Sequence, residues 1–210
     1  MGIGSIGCTK GEKGGGGNEG GFSVKVEPES TGLRVLGKVP DFVFLDQDSN
    51  AFGLGDTKDR VWMANFVFTR CGSTCPLQTA KMAQLQESLK GEPFFSAIRM
   101  VSFTVDPEYD TPQVLAEYAA KYQATANWRF LTGARKDIWG FCEKGLMLPV
   151  EESGLDPAMP ILHSPSVVLI DGKGQIRGYY DGLNDESLEK LKSDLKTALK
   201  ETSSITGYDR

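Results

Sequence analysis

Histidine and cysteine are scarce in this sequence, since 210 residues contain one histidine, His163, and four cysteines. A disulfide-stapled scaffold of this length would need many more cysteines, so that class of protein is excluded. Cys71 and Cys75 stand close together, whereas Cys8 and Cys142 are isolated. A close pair is more typical of redox or metal chemistry than of a structural bridge.

Long apolar runs and an excess of positive charge are also absent. No run of 18 apolar residues occurs, and residues 1–30 lack the pattern of a signal peptide, so the sequence as it stands predicts no transmembrane helix. The formal net charge of −5 argues against a general nucleic-acid-binding protein, which would carry a basic stripe. We therefore expect no nucleic-acid partner.

Composition divides the chain into a tail and one domain. Residues 8–21 are rich in glycine and polar side chains, which is typical of a flexible linker. The remaining chain, roughly 170 residues, is long enough for one packed domain and too short for two. We expect a flexible tail over residues 1–32, a single domain over 33–202 and a second tail over 203–210.

Strand and helix patterns alternate along the first half of the domain, and a β-hairpin and a helix follow. The predicted strands are 42–45, 61–69, 98–105, 128–131, 166–170 and 175–180. The predicted helices are 77–89, 111–122, 136–144 and 185–200, and residues 145–162 are expected to form a long loop. This order predicts an α/β protein of the thioredoxin type, with a central mixed β-sheet flanked by helices and an added N-terminal β-hairpin.

The cysteine pair lies where a predicted buried strand gives way to a helix, in the segment FTRCGSTCP over residues 68–76. This position brings both sulfurs to one side and sets Cys75 near a helix N-terminus. The helix dipole, together with the charge of Arg70, is expected to lower the thiol pKa below about 8.5. Two buried inert thiols or a simple disulfide are the alternatives.

The single histidine lies just before the strand at 166–170, whose start should lie beside the same helix N-terminus. Two thiolates and an imidazole form a soft set of ligands that suits Cu(I) and can also hold Cu(II) or Zn(II). Three protein ligands do not complete a structural zinc site, which needs four. A fourth ligand stays open among Met147, Met159, Cys142 and water.

Three acidic residues follow the strand at 98–105, namely Asp106, Glu108 and Asp110. They could form an acidic metal cluster, but such residues more often build a turn and a helix cap. We favour the turn and cap.

Three segments resemble the SCO/SenC family. Residues 68–76 resemble its FTxCxxxCP motif, and residues 105–112 (VDPEYDTP) resemble its VDPxxDTP segment. His163 and Ser164, with residues 167–182, resemble its HS…LID.xG.I.G.YDG segment. The three occur in the family's order and span about residues 35–200.

The resemblance implies a thioredoxin-like fold and a copper site, for Cu(I) or Cu(II), formed by Cys71, Cys75 and His163. It also implies that the two cysteines are redox-active and that Asp106 supports the site from outside it. The implied role is assembly of the copper centre of cytochrome c oxidase, as a metallochaperone or as a thiol reductant for the receiving subunit. Other copper chaperones or thiol reductants are further expected partners. A thiol-disulfide oxidoreductase, or a redox or copper sensor, is the alternative.

The resemblance also bears on location, because family members usually carry an N-terminal membrane anchor. A small residue before Cys8 and a polar linker after it match the start of a mature bacterial lipoprotein. We expect an extracytoplasmic, periplasmic protein. A lipidated Cys8 or a preceding segment could anchor it to the membrane, but for Cys8 itself we favour an incidental cysteine in a disordered tail.

Overall fold

The structure is a computed structural model that describes residues 32–72, 74–153 and 160–206, the side chains of 203–206 excepted. Its strands are β1 Gly37–Lys38, β2 Val43–Asp46, β3 Ala51–Gly53, β4 Val61–Val67, β5 Ile98–Thr104, β6 Trp128–Thr132, β7 Val150–Glu152, β8 Ile161–His163, β9 Ser166–Ile170 and β10 Gln175–Asp181. Its helices are α1 Thr74–Leu89, α2 Pro112–Lys121, α3 Arg135–Gly140, which continues as a π-helical turn over Phe141–Gly145, and α4 Asp185–Thr206.

Eight of the described strands form one mixed sheet in the order β1-β10-β9-β4-β5-β6-β2-β3. The central strands β4, β5 and β6 are parallel, and β9 and β2 join them in antiparallel pairing. Strands β7 and β8 form a separate antiparallel pair. The expected central mixed sheet is confirmed, and β2 and β3 form the expected N-terminal hairpin.

Helices cover both faces of the sheet because its central strands are apolar on both sides. All seven residues of β4 are buried, which explains its continuous apolar run. Alternate residues of β4 face two apolar clusters. One contains Trp62 with Ile138 of α3, and the other contains Met63 with Met82 of α1 and Leu191 of α4.

Local signals set the ends of several elements. The Thr111 hydroxyl accepts a hydrogen bond from the Val114 N–H at 3.4 Å, and Asn184 Oδ1 accepts one from the Ser187 N–H at 2.9 Å, so both side chains cap helices. The turn between β9 and β10 needs a glycine at Gly174, whose φ is +74°.

The structure differs from the sequence-based expectations in three places. Residues 145–162 are more than a loop, because they include β7 and most of β8, and His163 ends β8. Strand β4 stops at Val67, so residues 68–70 belong to the turn that precedes Cys71. Helix α4 runs to Thr206 rather than about residue 200. The proposed domain limits stay a prediction.

None of the described helices combines the length and the apolar character needed to cross a bilayer.

Candidate metal centre

The cysteine turn connects the central strand to the first long helix. Cys71 lies in the turn after β4, and its N–H donates a hydrogen bond to the Phe68 carbonyl at 3.2 Å. Cys75 lies in the first turn of α1. Both cysteines are free and buried, with exposed fractions of 6% for Cys71 and 1% for Cys75. The turn therefore holds two thiols at the edge of the apolar core.

His163 reaches the same point from the separate β7–β8 pair. Its Nε2 lies 3.0 Å from Sγ of Cys75, and its Nδ1 lies 3.0 Å from the Ser164 carbonyl oxygen. Because a carbonyl only accepts hydrogen bonds, Nδ1 carries the ring proton in the neutral ring. The lone pair of Nε2 then faces Cys75, whose thiol donates to it. The ring is also held by Phe68, at 5.9 Å between centroids in an edge-to-face arrangement.

Burial sets the protonation of both groups. It raises the pKa of the Cys75 thiol, and the neighbouring Cys71 thiol raises that pKa further. The expectation of a lowered thiol pKa is therefore wrong for Cys75, because loss of solvent outweighs the helix N-terminus. Arg70 pairs with Asp106 at 2.6 Å, so its charge is compensated. Burial lowers the pKa of His163, which keeps its imidazole neutral.

The structure brings the three expected metal ligands together to different degrees. Cys75 and His163 are in direct contact, and Cys71 lies beside Cys75. Within residues 32–72, 74–153 and 160–206, no three His, Cys, Asp or Glu side chains are grouped as a ready-made metal site. Joint ligation by Cys71, Cys75 and His163 therefore stays a prediction.

The candidates for a fourth ligand lie elsewhere or outside the description. The methyl group of Met147 packs near Gly37 on β1, and β1 pairs with the start of β10. His163 lies three residues before Ser166, which pairs with Asp181 at the other end of β10. Cys142 is fully buried in the apolar core, in the π-helical turn. Met159 lies outside the described residues, as does Cys8.

The acidic loop after β5 supports the cysteine turn. Asp106 is 2% exposed and binds Nε of Arg70, whose guanidinium lies 5.2 Å from the centre of the Tyr109 ring. Asp110 is fully buried and accepts hydrogen bonds from the backbone N–H of Thr69 at 3.1 Å and from its hydroxyl at 2.5 Å. The loop is a turn before α2, as favoured from the sequence, but the expected acidic cap is wrong, because the N-cap of α2 is Thr111. The carboxylates of Asp106 and Asp110 instead hold residues that precede Cys71.

The comparison with protein families decides the relationship. The SCO1/SenC family model matches residues 34–200, which include the whole cysteine turn and His163. The chain belongs to the SCO1/SenC family.

A curated relative supports this membership. The SCO1 protein homolog of Bacillus subtilis is 36% identical over 164 residues, which cover 77% of this chain and 82% of that protein.

Solved structures of SCO1/SenC proteins have the same fold. A family lipoprotein from Bacillus anthracis is 34% identical with a TM-score of 0.70, and the match covers 76% of this chain and 94% of that one. BsSco, described as a member of the Sco family of cytochrome c oxidase assembly proteins with a disulfide switch, is 35% identical with a TM-score of 0.70, covering 80% and 98%. Copper-bound ScoI of Bradyrhizobium japonicum shares the fold at 19% identity and a TM-score of 0.64, covering 76% and 98%.

Two residues that sequence reasoning missed connect the parts of this SCO1/SenC site. Gln78 is 1% exposed, and its Nε2 donates to the Pro165 carbonyl at 2.7 Å, two residues after His163. The Gly182 N–H donates to the same carbonyl at 3.0 Å. A Cβ at Gly182 would lie 2.7 Å from Nε2 of Gln78 and 2.7 Å from the Pro165 carbonyl oxygen. The signal in the sequence was the spacing, since Gln78 is three residues after Cys75 and shares its helix face.

Proposed function

We propose that this protein binds one copper ion through Cys71, Cys75 and His163 and serves the assembly of the copper centre of cytochrome c oxidase. The observation that carries the proposal is the 3.0 Å contact between Sγ of Cys75 and Nε2 of His163, with the Cys71 thiol beside it. A soft sulfur and an unprotonated ring nitrogen already face each other at a buried point.

Copper fits this set of donors better than the hard cations do. Thiolate and imidazole ligands select Cu(I), Cu(II) or Zn(II) and disfavour magnesium and calcium, which need oxygen ligands. Membership of the SCO1/SenC family supports copper among these metals. The copper-bound ScoI of Bradyrhizobium japonicum, which shares the fold, agrees with the choice.

Binding requires the ion to replace the thiol proton between the two side chains. Burial raises the pKa of Cys75, so at neutral pH its proton must leave as the metal enters. The neutral His163 ring needs no such loss. Because an ion held by both would lie between Sγ of Cys75 and Nε2 of His163, these two atoms would have to move apart from their present 3.0 Å contact.

The test is copper binding by the reduced protein with and without the histidine. We expect one Cu(I) per chain, and we expect His163→Ala to lower the affinity at least about 100-fold, since even residues that only support ligands contribute 10- to 100-fold. Competition with a chromogenic Cu(I) chelator measures both values. Met147→Ala, which removes a half-exposed sulfur whose methyl group packs near Gly37, is the matched control and should keep the wild-type affinity. Wild-type Cu(I) affinity in His163→Ala would contradict the three-ligand site.

A thiol-reductant role is the second candidate, because Cys71 and Cys75 are adjacent and free. In that reaction a thiolate of this chain attacks a disulfide of the oxidase subunit and forms a mixed disulfide. The second cysteine then displaces the partner's thiol, so this chain ends oxidised to a disulfide and the partner receives two electrons and two protons. BsSco, in which a disulfide switch is described, supports a reversible disulfide here.

The raised pKa of Cys75 predicts slow thiol exchange at neutral pH, because only the thiolate attacks. Insulin reduction without copper is expected to stay near background at pH 7 and to rise with pH, by up to about tenfold per unit while Cys75 is mostly protonated. Turnover at pH 7 that equals that of a thioredoxin would instead favour the oxidoreductase.

The partner and the location follow from the same proposal. The partner is the oxidase subunit that receives copper, with other copper chaperones or thiol reductants as possible donors. We place the protein outside the cytoplasm, in a bacterial periplasm, anchored through a lipid on Cys8 or through a preceding segment. The Bacillus anthracis relative, described as a lipoprotein, supports the lipid anchor.

A further inference from the structure

Asp110 is a buried carboxylate that faces the cysteine turn. Its side chain has no exposed surface and accepts four hydrogen-bond contacts from two threonines. Thr69 donates its N–H, at 3.4 Å to Oδ1 and 3.1 Å to Oδ2, and its hydroxyl to Oδ1 at 2.5 Å. Thr104 donates its hydroxyl to Oδ2 at 2.5 Å. These contacts join the end of β5 to the turn that follows β4.

The directions of these hydrogen bonds require an acceptor at position 110. The Thr104 hydroxyl accepts from the Asp106 N–H at 3.0 Å, which leaves its proton for Asp110. A backbone N–H can only donate, so the Thr69 amide also needs an acceptor. An amide side chain at position 110 would offer one acceptor and one donor group in place of two acceptors. A carboxylate therefore fits this place better than its isostere.

The segment that Asp110 holds is the one that sets the position of Cys71. Thr69 is two residues before Cys71, and the Cys71 N–H closes the turn on the Phe68 carbonyl at 3.2 Å. The side chain of Arg70, between them, is bound separately by Asp106 at 2.6 Å. Loss of the Asp110 contacts would free the backbone on the β4 side of Cys71.

A helix-capping role does not account for these contacts. The N-cap of α2 is Thr111, whose hydroxyl accepts from the Val114 N–H at 3.4 Å. The side chain of Asp110 points to Thr69 and Thr104, neither of which belongs to α2. Its contacts therefore serve the cysteine turn rather than the helix.

We propose that Asp110 is a positioning residue that fixes the turn before Cys71 so that its sulfur stands ready beside Cys75 and His163. The copper part of this inference rests on the proposed function, whereas the dithiol part does not. A fixed turn lowers the ordering cost of bringing Cys71 to a shared metal or into a disulfide with Cys75. Asp110 acts through Thr69 and touches neither sulfur.

The test is a double-mutant cycle of Asp110→Asn and Thr69→Val, read out in two ways. The first readout is Cu(I) affinity, by competition with a chelator. The second is the equilibrium of the copper-free protein with glutathione, in which protein dithiol and one oxidised glutathione give protein disulfide and two reduced glutathiones. We expect Asp110→Asn to weaken copper binding about tenfold. We expect it also to disfavour the disulfide about tenfold, which raises the dithiol potential by about 30 mV.

The cycle separates positioning from general damage. If the Thr69 hydroxyl acts only through Asp110, the double variant should behave like Asp110→Asn alone, and Thr69→Ser, which keeps the hydroxyl, should retain wild-type values. Asp46→Asn is the matched control, because Asp46 is also buried and its carboxylate holds a turn, through the Asp48 and Asn50 N–H groups at 2.9 Å, in the β2–β3 hairpin. It should leave both readouts unchanged.

Three results would overturn the proposal. These are wild-type values of both readouts in folded Asp110→Asn, single effects that simply add in the double variant, and equal shifts in Asp46→Asn. Should Asp110→Asn fail to fold, Thr69→Val decides alone, since it removes one hydroxyl and should shift both readouts in the same directions. If the wild type binds no copper, the proposed function fails, while the glutathione equilibrium still decides the role of Asp110.

Discussion

Replacing Cys75 by serine is expected to lower Cu(I) affinity roughly 1000-fold, the largest loss of any single substitution at the site. Cys75 is the residue that the other two proposed ligands adjoin, with His163 Nε2 at 3.0 Å and the Cys71 thiol beside it. A serine hydroxyl stays protonated at neutral pH and is a hard oxygen, so it cannot replace a thiolate. If binding is worth about 10 kcal/mol, losing one of three ligands costs a third or more of that.

The chain offers a matched control in Cys142→Ser. Cys142 has no exposed surface, and burial raises its pKa as it does that of Cys75, so the same substitution perturbs a similarly buried thiol. We expect Cys142→Ser to cost stability and to keep copper affinity. Chelator competition and urea unfolding on both variants separate the two effects. A comparable loss of affinity in both variants would mean that damage to the core, and not ligation, explains the result.

The location of the cysteine turn could be predicted from the sequence because local chemistry defines it. The apolar strand β4 ends at Val67, shortly before Cys71, and a proline in the first helical turn marks the start of α1. The contact of His163 with Cys75 came from fold-level reasoning, since 88 residues separate them. It was predictable only because β9 runs antiparallel to β4, which places the start of β9 at the same edge of the sheet as the end of β4.

The burial of Cys75, which determines its thiol pKa, could not be predicted from the sequence. The helix N-terminus and Arg70 argued for a reactive thiolate at Cys75, and both features are present. Their effect is outweighed because Cys75 is 1% exposed and Asp106 compensates the charge of Arg70. Burial depends on how distant segments pack, which a local pattern does not encode. The same limit applies to Asp110, whose partner Thr69 lies 41 residues away.

The β7–β8 pair was missed for a related reason. Glycines and prolines in residues 145–162 favour a loop, and each strand is only three residues long. Short strands with weak local preference form when tertiary contacts fix them. Here Val150 and Ile161 are buried in the same apolar cluster as Phe68, which anchors the strand that carries His163.

A second feature that no motif indicated is a buried ion network at the far end of the sheet. Arg177 on β10 is 7% exposed and binds Asp171 at 2.7 Å and Glu201 of α4 at 2.5 Å. The same guanidinium donates to the carbonyl of Leu33 at 2.5 Å and to that of Arg34 at 3.2 Å. One side chain therefore joins the start of the described chain, the β9–β10 turn and the last helix.

Arg177→Met is expected to lower the free energy of unfolding by about 3 kcal/mol, because it leaves the carboxylate of Asp171, 5% exposed, without its countercharge. The Lys173 and Gln175 N–H groups still donate to Asp171, which keeps the cost at the lower end for a broken buried pair. Arg135→Met is the control, since both of its carboxylate partners are about 70% exposed, at 68% and 71%, and such pairs are worth about 1 kcal/mol or less. Urea unfolding at pH 7 measures both variants. Equal losses in the two variants would show that the network contributes no more than a surface pair. Copper affinity should stay at the wild-type value in Arg177→Met, because the network lies at the opposite end of β10 from the Asp181–Ser166 pair beside His163.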